Sequence, residues 1–355
     1  MEYGSEFDWR ANAPYRRENT GFVRGDWLLY RSGRDALKAF ARSTGKTRVL
    51  LPALCCESMI LPFTQNGCEV VFYRLNEDLS GKEDDVREKL TDGAVLLYMR
   101  YFGVPPFSDA FLTSLRESGH GYRFLEDRTH DILIPREDGG FQPDAVAASL
   151  RKWAALPEGG MLRSAQPVDP GWPDPAYGDL RQEAMKEKSR YLDWEDPELK
   201  QWYSEKLRRA EGLLDESGEP AAMSPEYREL LEKLDFSGIL AARFRNLRRL
   251  ERGLRPLAEE GLIRFLIPEP EKSGLYLPIL VEERDRVQRA MFTYKIYCPA
   301  AIWPEPREAA GVCPVSHRIT EHMLSLLCDQ RYDEGDMDYQ ICALTEILHK
   351  RGRET

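Results

Sequence analysis

No apolar run in this chain approaches the roughly 20 residues needed to cross a bilayer, and the start, Met1-Glu2-Tyr3-Gly4, lacks the basic-then-apolar pattern of an export signal. A soluble, cytoplasmic protein is the expectation. The seven cysteines stand at 55, 56, 68, 298, 313, 328 and 342, an odd number with no Cys-x-x-Cys pair. Histidines at zinc-ligand spacing are also missing, so neither a disulfide framework nor a metal site is expected. Cys55 and Cys56 read either as small buried groups or as a redox pair. An excess of positive charge is absent too. Sixty acidic side chains outweigh 50 basic ones, mixed along the chain to a net −10, which argues against a general nucleic-acid or anionic-membrane binder. Internal repeats and low-complexity tracts are likewise lacking.

What is present is 355 residues, more than one hydrophobic core usually serves, so two lobes are expected. Apolar runs alternate with amphipathic stretches as a mainly parallel sheet with covering helices requires, which makes the fold class α/β. Ala36, Leu37, Phe40 and Ala41 share one helical face, and Arg48 to Leu54 reads as a short buried strand. Strand-like runs recur at Glu69 to Leu75, Ala94 to Tyr101 and Tyr122 to Leu125, and Asp144 to Ala148 reads as helical. Two long polar helical stretches, from Asp179 to about Glu211 and from Pro225 to Arg252, read as a connector. Strands at Leu262 to Ile267, Leu275 to Val281 and Tyr297 to Ile302, a helix around Val287 to Lys295 and a terminal helix from Met337 predict a smaller α+β lobe. The resulting division is a large domain over 1–240 and a smaller one over 241–355.

Four segments carry chemistry. Ser32-Gly33 precedes a helix, where serine can cap and the bare glycine lets backbone N–H groups approach a phosphate at the positive helix end; an ordinary helix cap would look the same. Asp35, in that first turn, should point outward, away from any phosphate. Asp127 follows a strand-like run, the position where open α/β sheets bind ligands. A carboxylate there can hold a pyridine nitrogen protonated; a charge pair at about 4 Å is worth roughly 4 kcal/mol at an effective dielectric of about 20. His130 either supports that carboxylate or meets the ring's phenolic oxygen. Lys152 precedes Glu158-Gly159-Gly160, glycines that permit tight reversal beside a ligand, and an imine-forming lysine needs a partly desolvated, cation-rich setting. Arg151 could supply that charge or bind the phosphate. In the C-terminal lobe, Trp303-Pro304, Ser316-His317-Arg318, Glu321-His322 and Asp329-Gln330-Arg331-Tyr332 form a dense polar set. It reads as a pocket where Arg318 or Arg331 grips a carboxylate or diphosphate, or as a salt-bridged surface and dimer contact.

In this order, from about Trp27 to Tyr339, the segments resemble the DegT/DnrJ/EryC1/StrS family, sugar aminotransferases of the fold-type-I pyridoxal phosphate enzymes. Ser32-Gly33-Arg34-Asp35-Ala36-Leu37 is similar to that family's SGT-x-AL, Leu51-Pro52 marks a strand end, and Glu126-Asp127-Arg128-Thr129-His130 matches ED-x-x-[HQ]. Lys152 with Glu158-Gly159-Gly160 is similar to its lysine and GEGG; Ser325-Leu326-Leu327 and Asp336-Met337 are similar to its late elements. The resemblance implies a homodimer using pyridoxal 5′-phosphate, held by Ser32, Gly33, Arg34, Asp127, His130, Ser149 and Lys152. Lys152 would carry the imine, and the amino group would pass from a donor such as glutamate to a keto sugar, nucleotide-linked. Another pyridoxal phosphate activity, a lyase or an acyl-transferring enzyme, and a non-catalytic binding relative are the alternatives. Ser149 stands three residues before Lys152 where the family has five, and Arg34 replaces its threonine. Leu54, Cys55 and Cys56 stand where a ring-stacking aromatic is expected.

Overall fold

A computed structural model describes residues 2–17, 25–135, 139–270, 273–299 and 304–351. In chain order the elements are β1 (Tyr3–Gly4), β2 (Leu28–Tyr30), α1 (Gly33–Thr44), β3 (Arg48–Pro52), α2 (Glu57–Thr64), β4 (Glu69–Tyr73), α3 (Glu83–Lys89), β5 (Val95–Met99), α4 (Asp109–Glu117), β6 (Arg123–Asp127), β7 (Ala145–Ser149) and β8 (Gly160–Ser164). Then follow α5 (Pro175–Trp194), α6 (Pro197–Glu216), α7 (Pro225–Glu232), α8 (Phe236–Glu259), β9 (Arg264–Phe265), β10 (Leu277–Leu280), α9 (Arg284–Thr293), β11 (Ile296–Tyr297), α10 (Pro314–His322), β12 (Met323–Leu326) and α11 (Glu334–Arg351).

The large sheet runs β2-β8-β7-β6-β5-β3-β4. The five strands from β4 to β7 are parallel, while β8 and β2 close one edge antiparallel. Val95–Met99 is buried at every position, the uninterrupted apolar signature of a parallel strand covered on both faces. After β3 the chain pairs β4 on one side and β5 on the other, so the order reverses there and the loops beyond the carboxyl ends part into a crevice.

The expected helix over Asp144 to Ala148 is instead β7, Ala-Val-Ala-Ala-Ser, buried throughout. Alanine favours helix locally, but these residues are hydrogen-bonded between β6 and β8, and pairing overrides propensity. The small side chains also admit close neighbours. A Cβ on Gly160 would lie 2.0 Å from the Ser32 carbonyl oxygen, and one on Gly33 3.2 Å from the Ser149 Cβ. The turn that starts α1 is therefore pressed directly onto the ends of β7 and β8.

The smaller sheet, β12-β10-β9, is antiparallel. Leu250 and Leu254 of α8, Ile279, Leu324 and Leu344 fill its core. The division at 240/241 falls inside α8, whose Phe236 and Ile239 pack with Trp153 while its later turns enter the small-domain core. Of the strand expected over Tyr297 to Ile302 only Tyr297 is extended, as the end of β11; Cys298 and Pro299 are irregular, and residues 300–302 and Trp303 lie outside the described residues. The N-terminal β1 pairs with β11, so the first residues of the chain reach the small domain. No helix among the described residues is long and apolar enough to cross a membrane.

Gly160→Ala must displace backbone, not a flexible side-chain tip. We expect it to lower stability by at least about 3 kcal/mol, read from urea unfolding midpoints.

Candidate functional site

A cavity of about 710 Å³ opens at the carboxyl ends of the parallel strands. It gathers Gly33, Arg34, Asp127, His130, Ser149, Lys152 and Arg331, seven of the nine residues singled out from sequence, and leaves Ser32 and Arg318 outside.

Ser32 is fully buried as the cap of α1. Its Oγ accepts from Asp35 N–H at 3.2 Å and donates to Asp35 Oδ2 at 2.6 Å, which leaves Gly33 as the exposed face of the turn. Asp35 does not point outward as expected. It is 2% exposed and held by both sides of the Arg31 guanidinium, at 2.9 and 3.1 Å. This pairing lets an acidic residue sit in the first turn with its charge compensated. On the cavity side, the N-terminus of the twelve-residue α1 meets Ser149, whose Oγ is buried without a hydrogen-bond partner. An anion at the helix end would satisfy that hydroxyl and the free N–H groups of the first turn together.

Asp127 ends β6 and is 6% exposed. It accepts the Thr129 N–H at 2.8 Å, but burial dominates and pushes its carboxyl up to about 6, with Asp131 adding in the same direction. A carboxylate left in this state is short of a positive partner, and a protonated ring nitrogen is such a partner. His130 is buried beside it, and burial with the nearby Lys152 charge pushes its imidazolium down to about 3. The imidazole is therefore neutral. Phe102 N–H donates to its Nδ1 at 3.4 Å, which puts the ring proton on Nε2. Phe102 itself has φ 52°, a costly left-handed conformation for a non-glycine residue, and it packs against the His130 ring.

Lys152 ends a single 3₁₀ turn directly after β7, and its side chain is exposed into the cavity. Its ammonium has no hydrogen-bond or ion-pair partner among the described residues. The backbone of the turn is gripped from behind: the buried Arg243 donates to the carbonyls of Lys152 and Trp153 at 3.4 and 3.1 Å. Glu158 faces away from the cavity; it accepts from the Ser224 N–H and hydroxyl at 2.7 and 3.0 Å, and burial pushes its carboxyl up to about 7.

Arg34 meets Glu211 at 3.0 Å and also Asp215, both on α6. Arg331 is engaged twice, with Asp329 at 2.8 Å and with backbone carbonyls of Gly4, Ser5 and Glu6. Arg318 lies on the exterior, paired with Glu77. The sequence reading missed several cavity residues: Glu6 of the N-terminal segment, Arg181, Arg208 and Glu211 of the presumed connector, and Arg243. A charged residue inside a polar helix carries no local mark of facing a ligand. Cys56 lines the cavity where the aromatic was sought, with its Sγ 2.8 Å from Ser58 Oγ, while Cys55 is sealed in the core and burial pushes its thiol up.

The raised Asp127 carboxyl makes a signed prediction. Ionisation is disfavoured in the folded chain, so the cost is present above its folded pKa of about 6 and absent below the ordinary value of 3.8. In protein without added ligand, Asp127→Asn should be more stable than wild type by about 2–3 kcal/mol at pH 8. The gap should close as pH falls through 6 towards 4, measured by urea unfolding across the series.

No known protein-family profile matches the sequence, and neither does any curated protein. Solved structures do match. Helicobacter pylori PseC, an aminotransferase involved in the biosynthesis of pseudoaminic acid, is 13% identical over 99% of this chain and 100% of its own, with a TM-score of 0.66. A DegT DnrJ EryC1 StrS aminotransferase from Brucella abortus is 17% identical over 91% of this chain and 86% of its own, with a TM-score of 0.61. NtdA from Bacillus subtilis, solved with bound cofactor PMP, is 13% identical over 91% of this chain and 73% of its own, with a TM-score of 0.66. The chain has the fold of these aminotransferases: a large, mainly parallel α/β domain followed by a smaller α+β domain.

Proposed function

We propose that this chain is a pyridoxal phosphate-dependent aminotransferase of the DegT/DnrJ/EryC1/StrS type, moving an amino group from a donor such as glutamate to a nucleotide-linked keto sugar, and that it works as a homodimer. The observation that carries the reading is the meeting, in one cavity, of an unpartnered Lys152 ammonium, the buried Asp127 carboxylate and the Gly33–Ser149 cradle. The three named structures with this fold support it, one with PMP bound and one from amino-sugar-acid biosynthesis.

When bound, the cofactor supplies an electron sink for the carbon–hydrogen bond of the amino donor. The first turn of α1 and the Ser149 hydroxyl would hold its phosphate, with Arg34 bringing positive charge to the same side. Asp127 faces the ring nitrogen and holds a proton there; its own carboxyl falls back towards the ordinary range once that cation is beside it. His130, neutral with its proton on Nε2, offers a donor to the ring without adding charge. Lys152 Nζ would hold the cofactor covalently until the donor's amine takes its place and, so freed, would move the proton between the donor's Cα and C4′ of the cofactor.

Purified chain mixed with pyridoxal phosphate should gain an absorption band at the visible edge, and borohydride should fix the label on Lys152 by peptide mapping. Lys152→Ala should lose both and reduce amino transfer from glutamate by at least about 1,000-fold, followed as product formation with keto sugars carrying or lacking a nucleoside diphosphate. An unlabelled Lys152 overturns the reading.

A further inference from the structure

Although the chain as a whole carries −10, the cavity is lined by seven cationic side chains and four carboxylates. Part of that excess faces the phosphate cradle. Two of the others, Arg151 and Arg181, meet at Glu211 of α6, close to the N-terminal segment. Arg181, 3% exposed, reaches Glu6 Oε2 at 2.8 Å and Glu211 Oε1 at 3.3 Å; Arg151 reaches the same Glu211 oxygen at 3.2 Å. The Tyr177 ring lies against both guanidiniums, 5.4 and 5.8 Å from its centre. The Nε atoms of Arg151 and Arg181 and the Tyr177 hydroxyl are all buried without a hydrogen-bond partner. Three buried donors on neighbouring side chains thus lack an acceptor among the described residues.

The one carboxylate that enters from elsewhere is Glu6. Its backbone is clamped: Lys188 Nζ donates to Gly4 O and Glu6 O and to Ser5 Oγ, and Arg331 donates to Gly4 O, Ser5 O and Glu6 O. The Glu6 side chain lines the cavity, fixed at its root by backbone contacts and held at its tip by Arg181. Arg181, Lys152 and Arg151 hold its carboxyl well below the ordinary range despite burial.

We propose that Arg151 and Arg181, over Tyr177, form a carboxylate-binding subsite, and that Glu6 occupies it as an internal counter-ion until an incoming carboxylate displaces it. The planar fork of a guanidinium matches a carboxylate edge, and both present occupants are carboxylates. That the incoming group is the amino donor's own carboxylate rests on the aminotransferase reading; the subsite does not. The tethered Glu6 competes at a high effective concentration, so the subsite discriminates against weak anions and admits a ligand that gains contacts elsewhere in the cavity.

Titration calorimetry with glutarate, a dicarboxylate without an amino group, tests this on the full chain. Glu6→Gln should tighten binding about tenfold or more. Glu6→Asp, equal in charge but one methylene shorter, should tighten it as well. Arg181→Gln and the more accessible Arg151→Gln should each weaken it about tenfold, with unfolding midpoints measured alongside so that an unfolded variant is set aside in favour of its partner. Tightening in Glu6→Gln alone would mean long-range charge without displacement and would overturn the proposal. Unchanged binding in both Glu6 variants, or inorganic phosphate binding as tightly with the same arginine dependence, would overturn it too. Glutarate binding with an unlabelled Lys152 would leave the subsite standing and remove the aminotransferase reading alone.

Discussion

The contact on which the site depends is backbone against backbone. The carbonyl of Ser32 rests on Gly160 with no room for a side chain between them, and Gly33 rests on Ser149. These contacts aim the N-terminus of α1 at the end of β7, and the turn bearing Lys152 begins at the next residue. Helix end, strand end and lysine are thus placed by two glycines and by strands of small side chains, before any ligand contributes. The Arg31–Asp35 pair completes the arrangement by giving the first turn an acid that is already neutralised.

Around that core the site is built from imbalanced groups. Asp127 carries a carboxylate that burial opposes, and Ser149 a buried hydroxyl without a partner among the described residues. Each imbalance costs stability in the ligand-free chain and is relieved by a group of opposite character, a pattern typical of functional sites. By comparison, the buried carboxylates Asp85 and Asp131 are paired, Asp85 with Arg74 and Lys89, and Asp131 with Arg100 and Arg128. The contrast separates the cavity from the surrounding scaffold more sharply than its shape does.

The alternation of strands and helices from Arg48 to Asp127 was readable because each strand is a short apolar run bounded by polar turns. So were the residues that reach the cavity close to strand ends or a helix start: Gly33, Asp127, His130 and Lys152. β7 was misread because alanine is ambiguous between helix and strand until its neighbours are known. β2 and β8, which close the sheet edge, gave no separate signal. Arg318 and Arg331 looked alike in a polar run, yet one faces the exterior and the other the cavity, a difference set by which face of the C-terminal domain meets the large one. Arg181, Glu211 and Arg243 touch residues 30 to 177 positions away, so no short window of sequence holds both partners.

Arg243 links the two domains in an unusual way. All of its hydrogen bonds go to neutral oxygens: the carbonyls of Gly274 and Leu275, the Gln330 side chain, and the carbonyls of Lys152 and Trp153. The first three belong to the C-terminal domain, the last two to the lysine turn. Asp329 attracts this buried cation from further off, but no carboxylate hydrogen-bonds it among the described residues, so it cannot give up a few of these dipoles cheaply. The lysine turn and the C-terminal domain are therefore latched into one rigid body.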